Sequence, residues 1–154
     1  MLDTKRFRGI IDSFYQQLLA TKPEMTDTVL SEDKWSLREI VGHLVDSASN
    51  NHQRFVRLQF DDLLGFPAYE GEAWLKAQKY NGLDWEALVS LWYGYNRLLL
   101  HIIENTDRTV LGNVWVKGEE AITLEFLMSD YYRHLEEHVE HFNKRREEIR
   151  SSGK

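Results

Sequence analysis

His134, His138 and His141 crowd into the stretch YYRHLEEHVEHF, so half of the six histidines of the chain fall within eight residues. On a helix, residues three or four apart stand on neighbouring turns of one face, and two imidazoles so placed can share a cation. The pairs His134/His138 and His138/His141 both satisfy that spacing, and spacing alone leaves the choice open. A third ligand must come from elsewhere in the chain, and His43 in WSLREIVGHLVD is the best candidate. Cysteine is absent, which excludes disulfides, thiolate nucleophiles and cysteine metal sites. Imidazole ligands suit zinc or nickel, whereas magnesium and calcium prefer oxygen. Three imidazoles also leave positions open to water or substrate, the mark of a catalytic site over a closed structural one. A cation held in that way lowers the pKa of a water and polarises a substrate oxygen or thiol.

Each histidine has a plainer reading to set beside this one. At about 100° per residue, His138 falls within roughly 40° of an apolar stripe, with His134 and His141 at its margin. Glu136, Glu137 and Glu140 point elsewhere and read as a solvated face. The competing picture is a polar helix edge that is merely rich in His and Glu. His43 lies off the centre of its own apolar stripe, in a column with Ser47, Asn50 and Arg54, which is either solvent-facing or the polar wall of a cavity. His52 and His101 have no partner at ligand spacing and read as structural. Asp130 and Glu39, four residues before His134 and His43, are candidates to orient a free ring nitrogen, or simply surface carboxylates.

Four long helices must position these residues. The first spans about residues 3 to 20, with Phe7, Ile10, Ile11, Phe14 and Leu18 on one face, and Lys22-Pro23 ends it. The second starts at Ser36, where Ser36-Leu37-Arg38-Glu39 has the form of a capping box, and runs to about residue 60 on Leu37, Ile40, Val41, Leu44, Ala48 and Phe55. Residues 61 to 82 form a connector with a short helix near 71 to 79. The third helix covers about 84 to 105. Residues 107 to 122 break the helical period and suggest a small turn or hairpin around Gly112-Asn113 and Lys117-Gly118. Thr123 caps the fourth helix, whose buried stripe is Leu124, Leu127, Met128, Tyr131, Leu135, His138 and Phe142. Trp35, Trp85 and Trp92 sit at apolar, core-like positions. The fold class is all-α, one four-helix-bundle domain over residues 1–154, and bundle interiors commonly hold metal sites.

Composition narrows the function. A formal net charge of -6 argues against a primary role on nucleic acid or an anionic membrane, which rewards Lys and Arg. The one dense basic run, Lys144-Arg145-Arg146, reads as helix-end cations. Residues 1 to 22 form a charged amphipathic pattern and not a targeting segment. The densest apolar run, Leu98 to Ile103, is far too short to span a bilayer. A cytoplasmic protein is the expectation.

WSLREIVGHLVD, followed about ninety residues later by ITLEFLMSDYYRHLEEHVEHF, resembles the DinB/YfiT-like superfamily. Its members are four-helix bundles in which a Trp-Ser-x-x-Glu helix start leads to a His-Leu pair, and a last long helix carries His-x-x-x-His after a Thr-Leu start. The resemblance spans essentially the whole chain. Carried over position by position, it implies His43, His134 and His138 as ligands of one divalent metal, with His141 outside the set. It implies a metal-dependent enzyme on a small-molecule substrate, by hydrolysis or by transfer or isomerisation with a low-molecular-weight thiol as cosubstrate. A thiol-dependent enzyme would also need cations to grip the cosubstrate carboxylates, and Arg54 and Arg97 are candidates. A homodimer is compatible with the family. The alternative is a non-enzymatic, metal-stabilised module that binds a small ligand or a protein partner.

Overall fold

Apolar side chains at helical spacing give four long helices in the computed structural model, which describes residues 1–153. These are α1 (Thr4–Leu19), α2 (Leu37–Arg57), α4 (Trp85–Asn105) and α5 (Leu124–Ser152), with a short α3 (Gly71–Gln78) between α2 and α4. Every long helix begins on a side chain that accepts from an otherwise orphaned backbone N–H. Asp3 takes Arg6 N at 2.9 Å, Asp84 takes Ala87 N at 2.9 Å, and Thr123 takes Phe126 N at 3.2 Å. At α2 the expected capping box is closed from both sides, Ser36 Oγ accepting from Glu39 N and Glu39 Oε2 from Ser36 N.

The helix α2 packs on both α4 and α5, and α1 packs on the same two. Going round the bundle, the order is therefore α1, α4, α2, α5. Phe14, Trp92 and Phe142, from α1, α4 and α5, meet edge to face at its centre, an arrangement favoured by the ring quadrupole. The helix α3 and the 3-10 turn Tyr80–Gly82 cover a further side of α2. As a result α2 is buried without interruption from Ile40 to Ala48, well beyond the stripe its sequence advertises.

The two connectors join in a way the sequence did not indicate. The hairpin forms as expected from β2 (Val114–Lys117) and β3 (Glu120–Thr123), turning on Gly118 at a φ of 63°. It gains a third strand, β1 (Leu63–Leu64), from the connector read as loop plus short helix, and β1 pairs parallel to β2. Three hydrogen bonds fix the junction: Val114 N to Asp62 Oδ1 at 2.7 Å, Trp115 Nε1 to the Phe66 carbonyl at 2.9 Å, and Asn113 Nδ2 to the Leu58 carbonyl at 2.6 Å. Among the described residues no helix is long and apolar enough to cross a membrane.

Candidate metal centre

His43 projects from the buried part of α2 toward α5, where His134 and His138 occupy successive turns. Its Nε2 stands 3.3 Å from His134 Nε2, its ring 4.6 Å from that of His138, and the His134 and His138 rings are 4.5 Å apart. One nitrogen from each of the three lies within 4.8 Å of the other two. Zinc–imidazole bonds of 2.0–2.1 Å at a tetrahedral angle put ligand nitrogens about 3.3 Å apart, so the His43/His134 separation suits two ligands on one ion and equally a direct N–H···N hydrogen bond between the rings.

The charge state agrees. Burial pushes His43 down to about 4, with His134 and His141 adding repulsion, and His138 down to about 3, with its three histidine neighbours adding theirs. Burial lowers His134 as well. Burial thus favours the neutral form of all three imidazoles, the form that binds a metal. The donor set therefore fits a divalent transition metal. His43 Nδ1 is buried without a hydrogen-bond partner, against Gly71, where even an added Cβ would stand only 3.5 Å from it.

His141 lies beside the trio but outside it. Its Nδ1 is 3.4 Å from His138 Nδ1, and its Nε2 is 3.5 Å from an Arg145 nitrogen. Two carboxylates considered from the sequence are committed elsewhere. Asp130 accepts from Arg133 Nε at 2.7 Å, and Glu39 closes the α2 cap. His52 contacts the Tyr95 hydroxyl at 3.1 Å, and His101 contacts Asn105.

Sequence reasoning missed the role of Trp35. It is half-buried just ahead of the α2 cap, and its ring centre lies 5.0, 6.2 and 5.9 Å from those of His43, His138 and His141. Its indole N–H donates to Glu72 Oε1 on α3 at 3.1 Å, and its carbonyl accepts from Arg145 on α5. Arg145 is buried and also pairs with Glu148 at 2.8 Å. It belongs to the wall of the centre, seven residues short of the helix end, and is no capping cation. Trp85 and Trp92 are core residues as expected.

A cavity of about 370 Å³ opens beside His134. Ser47, Asn51 and Arg54 from α2, Tyr69, Trp115 and the carboxylate of Asp130 stand on its wall. Arg97 is elsewhere: its guanidinium bonds the Tyr93 hydroxyl at 3.1 Å, near Asp12 of α1. The structure thus brings together His43, His134, His138 and the Arg54 cavity, and leaves Arg97 on the α1–α4 side.

No family model and no curated protein sequence matches the chain. Its structure superposes on YfiT from Bacillus subtilis with a TM-score of 0.80 over 95% of this chain and 87% of that one, at 18% identity. YfiT is described as a probable metal-dependent hydrolase with an unusual four-helix bundle topology. The resemblance to the DinB/YfiT-like superfamily therefore stands at the level of fold: this chain is a YfiT-like four-helix bundle.

Proposed function

We propose that this protein is a metal-dependent hydrolase of a small molecule, with His43, His134 and His138 holding one divalent cation, zinc or nickel. The observation that carries this reading is the convergence of three imidazoles from two helices, His43 buried and His134 and His138 half-buried, beside a cavity of ligand size. The comparison with YfiT supports it. A cation bound there would supply Lewis acidity and lower the pKa of a water. The protein's part is to fix the imidazoles, exclude bulk water and place the substrate. Trp35, tied to α3 and α5, closes the side occupied by His43, His138 and His141, so substrate approaches from the His134 cavity. Asp130, the one carboxylate among the residues lining that cavity, is paired with Arg133 through Oδ1, which leaves its other oxygen to accept a proton.

A second reading, transfer or isomerisation with a low-molecular-weight thiol, is favoured by the buried cation Arg54 on the same wall, since such thiols carry carboxylates.

The test is metal content by elemental mass spectrometry for the wild type and for His43→Ala, His134→Ala and His138→Ala. Near-stoichiometric zinc or nickel, lost in each variant, is expected, followed by metal-dependent turnover in ester-hydrolysis or thiol-transfer screens. A wild type that takes up neither metal on loading would overturn the reading and leave a binding module.

A further inference from the structure

Arg54 is a buried cation with no counter-ion. Only 6% of the residue is exposed, yet no carboxylate among the described residues comes within ion-pairing distance of it. Its Nε has no hydrogen-bond partner, and its one bond to protein is a long one, Nη1 to Asn51 Oδ1 at 3.4 Å. A guanidinium carries five N–H donors. Leaving most of them unused while removing the charge from water is costly, and a purely structural arginine would be expected to find a carboxylate.

The environment compensates only in part. The guanidinium lies 4.1 Å from the centre of the Trp115 ring, a cation–π contact that stabilises charge without occupying the N–H edge. Trp115 is itself fixed by its bond to the Phe66 carbonyl. Ser47, Tyr69 and Asn51 supply neutral polar groups nearby. Arg54, Trp115, Ser47, Asn51 and Tyr69 all line the cavity that has His134 on its wall. The only carboxylate there, Asp130, is paired with Arg133.

We propose that Arg54, stacked on Trp115, is the binding group for a carboxylate on the small molecule that occupies this cavity, so that the ligand is an anion held at one end while its other end faces the histidine cluster. The inference rests on the proposed function in taking this cavity as the substrate site. The unpaired guanidinium edge suits the planar, bidentate geometry of a carboxylate. The volume limits the ligand to a compact one.

The experiment uses metal-free protein, so that its outcome is independent of whether the metal reading holds. The probes are monomethyl glutarate and dimethyl glutarate, near-isosteric and differing by one negative charge. Binding is read from the indole N–H resonance of Trp115 in a ¹⁵N correlation spectrum, assigned with Trp115→Phe. The monoester is expected to shift that resonance saturably and to bind at least tenfold tighter than the diester. Arg54→Gln should abolish the preference, Arg54→Lys should retain part of it, and Arg97→Gln should leave it intact. Thermal unfolding of each variant verifies the fold. Equal affinities for the two esters, no shift with either, or an unchanged preference in both Arg54 variants would overturn the inference. In zinc-loaded protein, 3-mercaptopropionate binding tighter than propionate by an Arg54-dependent margin would place the carboxylate on a thiol cosubstrate; equal binding would place it on the hydrolysed substrate.

Discussion

Gly42, the residue before His43, decides how α2 is covered. A Cβ there would meet Tyr80 ring atoms at 2.3 to 2.6 Å, so only glycine lets that ring lie flat against α2. Seated there, the Tyr80 hydroxyl donates to Asp46 Oδ1 at 2.6 Å, and Gln78 Nε2 donates to the same oxygen at 2.7 Å. Gly42→Ala should therefore destabilise the protein by about 1–3 kcal/mol through overpacking, despite the better helix propensity of alanine, as read by urea unfolding. A gain in stability would show that the contact is loose. Tyr80→Phe keeps the ring and removes the hydroxyl; it should cost about 1–2 kcal/mol by taking away one of the two hydrogen bonds to a carboxylate that is 1% exposed. Asp130→Asn keeps the size of the side chain but removes its basicity, and should lower kcat more than it raises KM for whichever substrate the screens yield. Equal effects on both would reduce Asp130 to a wall residue. At this scale the centre was half legible. The spacing of the α5 histidines announced a cluster, because all three sit on one helix, but left the pairs His134/His138 and His138/His141 both open. His43 was ambiguous, because its column turns inward only once α3 and Tyr80 cover it, and nothing within α2 encodes that cover.

The long helices were legible to within a few residues, since each carries a continuous apolar face and a capping side chain, and those are local signals. The strand β1 was not: two residues paired in parallel to a distant hairpin leave no period to read. The basic run in α5 was misread for a related reason. Cations near a helix end have an obvious local role, whereas the partners of Arg145 are Trp35 and Glu148, the first from the far end of the sequence. Lys34, the residue before Trp35, reaches the same Glu148 at 3.5 Å. The segment ahead of α2 is thus pinned to α5 at two adjacent residues, and Trp35 is held over the centre by elements rather than by its own helix. Arg145→Met should remove the grip on the Trp35 carbonyl while keeping the aliphatic bulk. It is expected to cost about 2 kcal/mol in urea unfolding, typical of a lost hydrogen bond to a charged group. It should also make metal dissociation to a chelator faster, because the indole no longer shields the imidazoles. Unchanged dissociation with reduced stability would make the Arg145 link purely structural.

For the whole molecule, the clustered histidines tie folding to pH. Burial lowers His43 to about 4, His138 to about 3, and His134 and His141 below their ordinary value of 6.5. In the unfolded chain all four would take up protons near pH 6.5 while the native protein resists doing so. The unfolded state thus binds more protons through that interval, and stability rises with pH across it. For metal-free protein the contribution is complete above about pH 6.5 and is lost as the pH falls toward 4 and then 3. Asp46 works in the opposite sense. Burial raises its carboxyl, so its contribution is greatest below the ordinary carboxylate value of 3.8 and is lost as the pH climbs through the raised one. One carboxyl, eased by two hydrogen bonds, opposes four imidazoles, and the histidines set the slope over pH 6.5 to 4. Urea unfolding of metal-free protein at pH 7 and pH 5 should show lower stability at pH 5. His138→Ala should flatten the dependence even as its cavity lowers stability at both values, which makes the slope, not the midpoint, the informative quantity. Loading with zinc should steepen the acid loss, since protonating any ligand releases the ion and couples metal affinity to the same protons. A pH-independent stability in the wild type would mean that the imidazoles are hydrated in solution and that the bundle does not hold them dry.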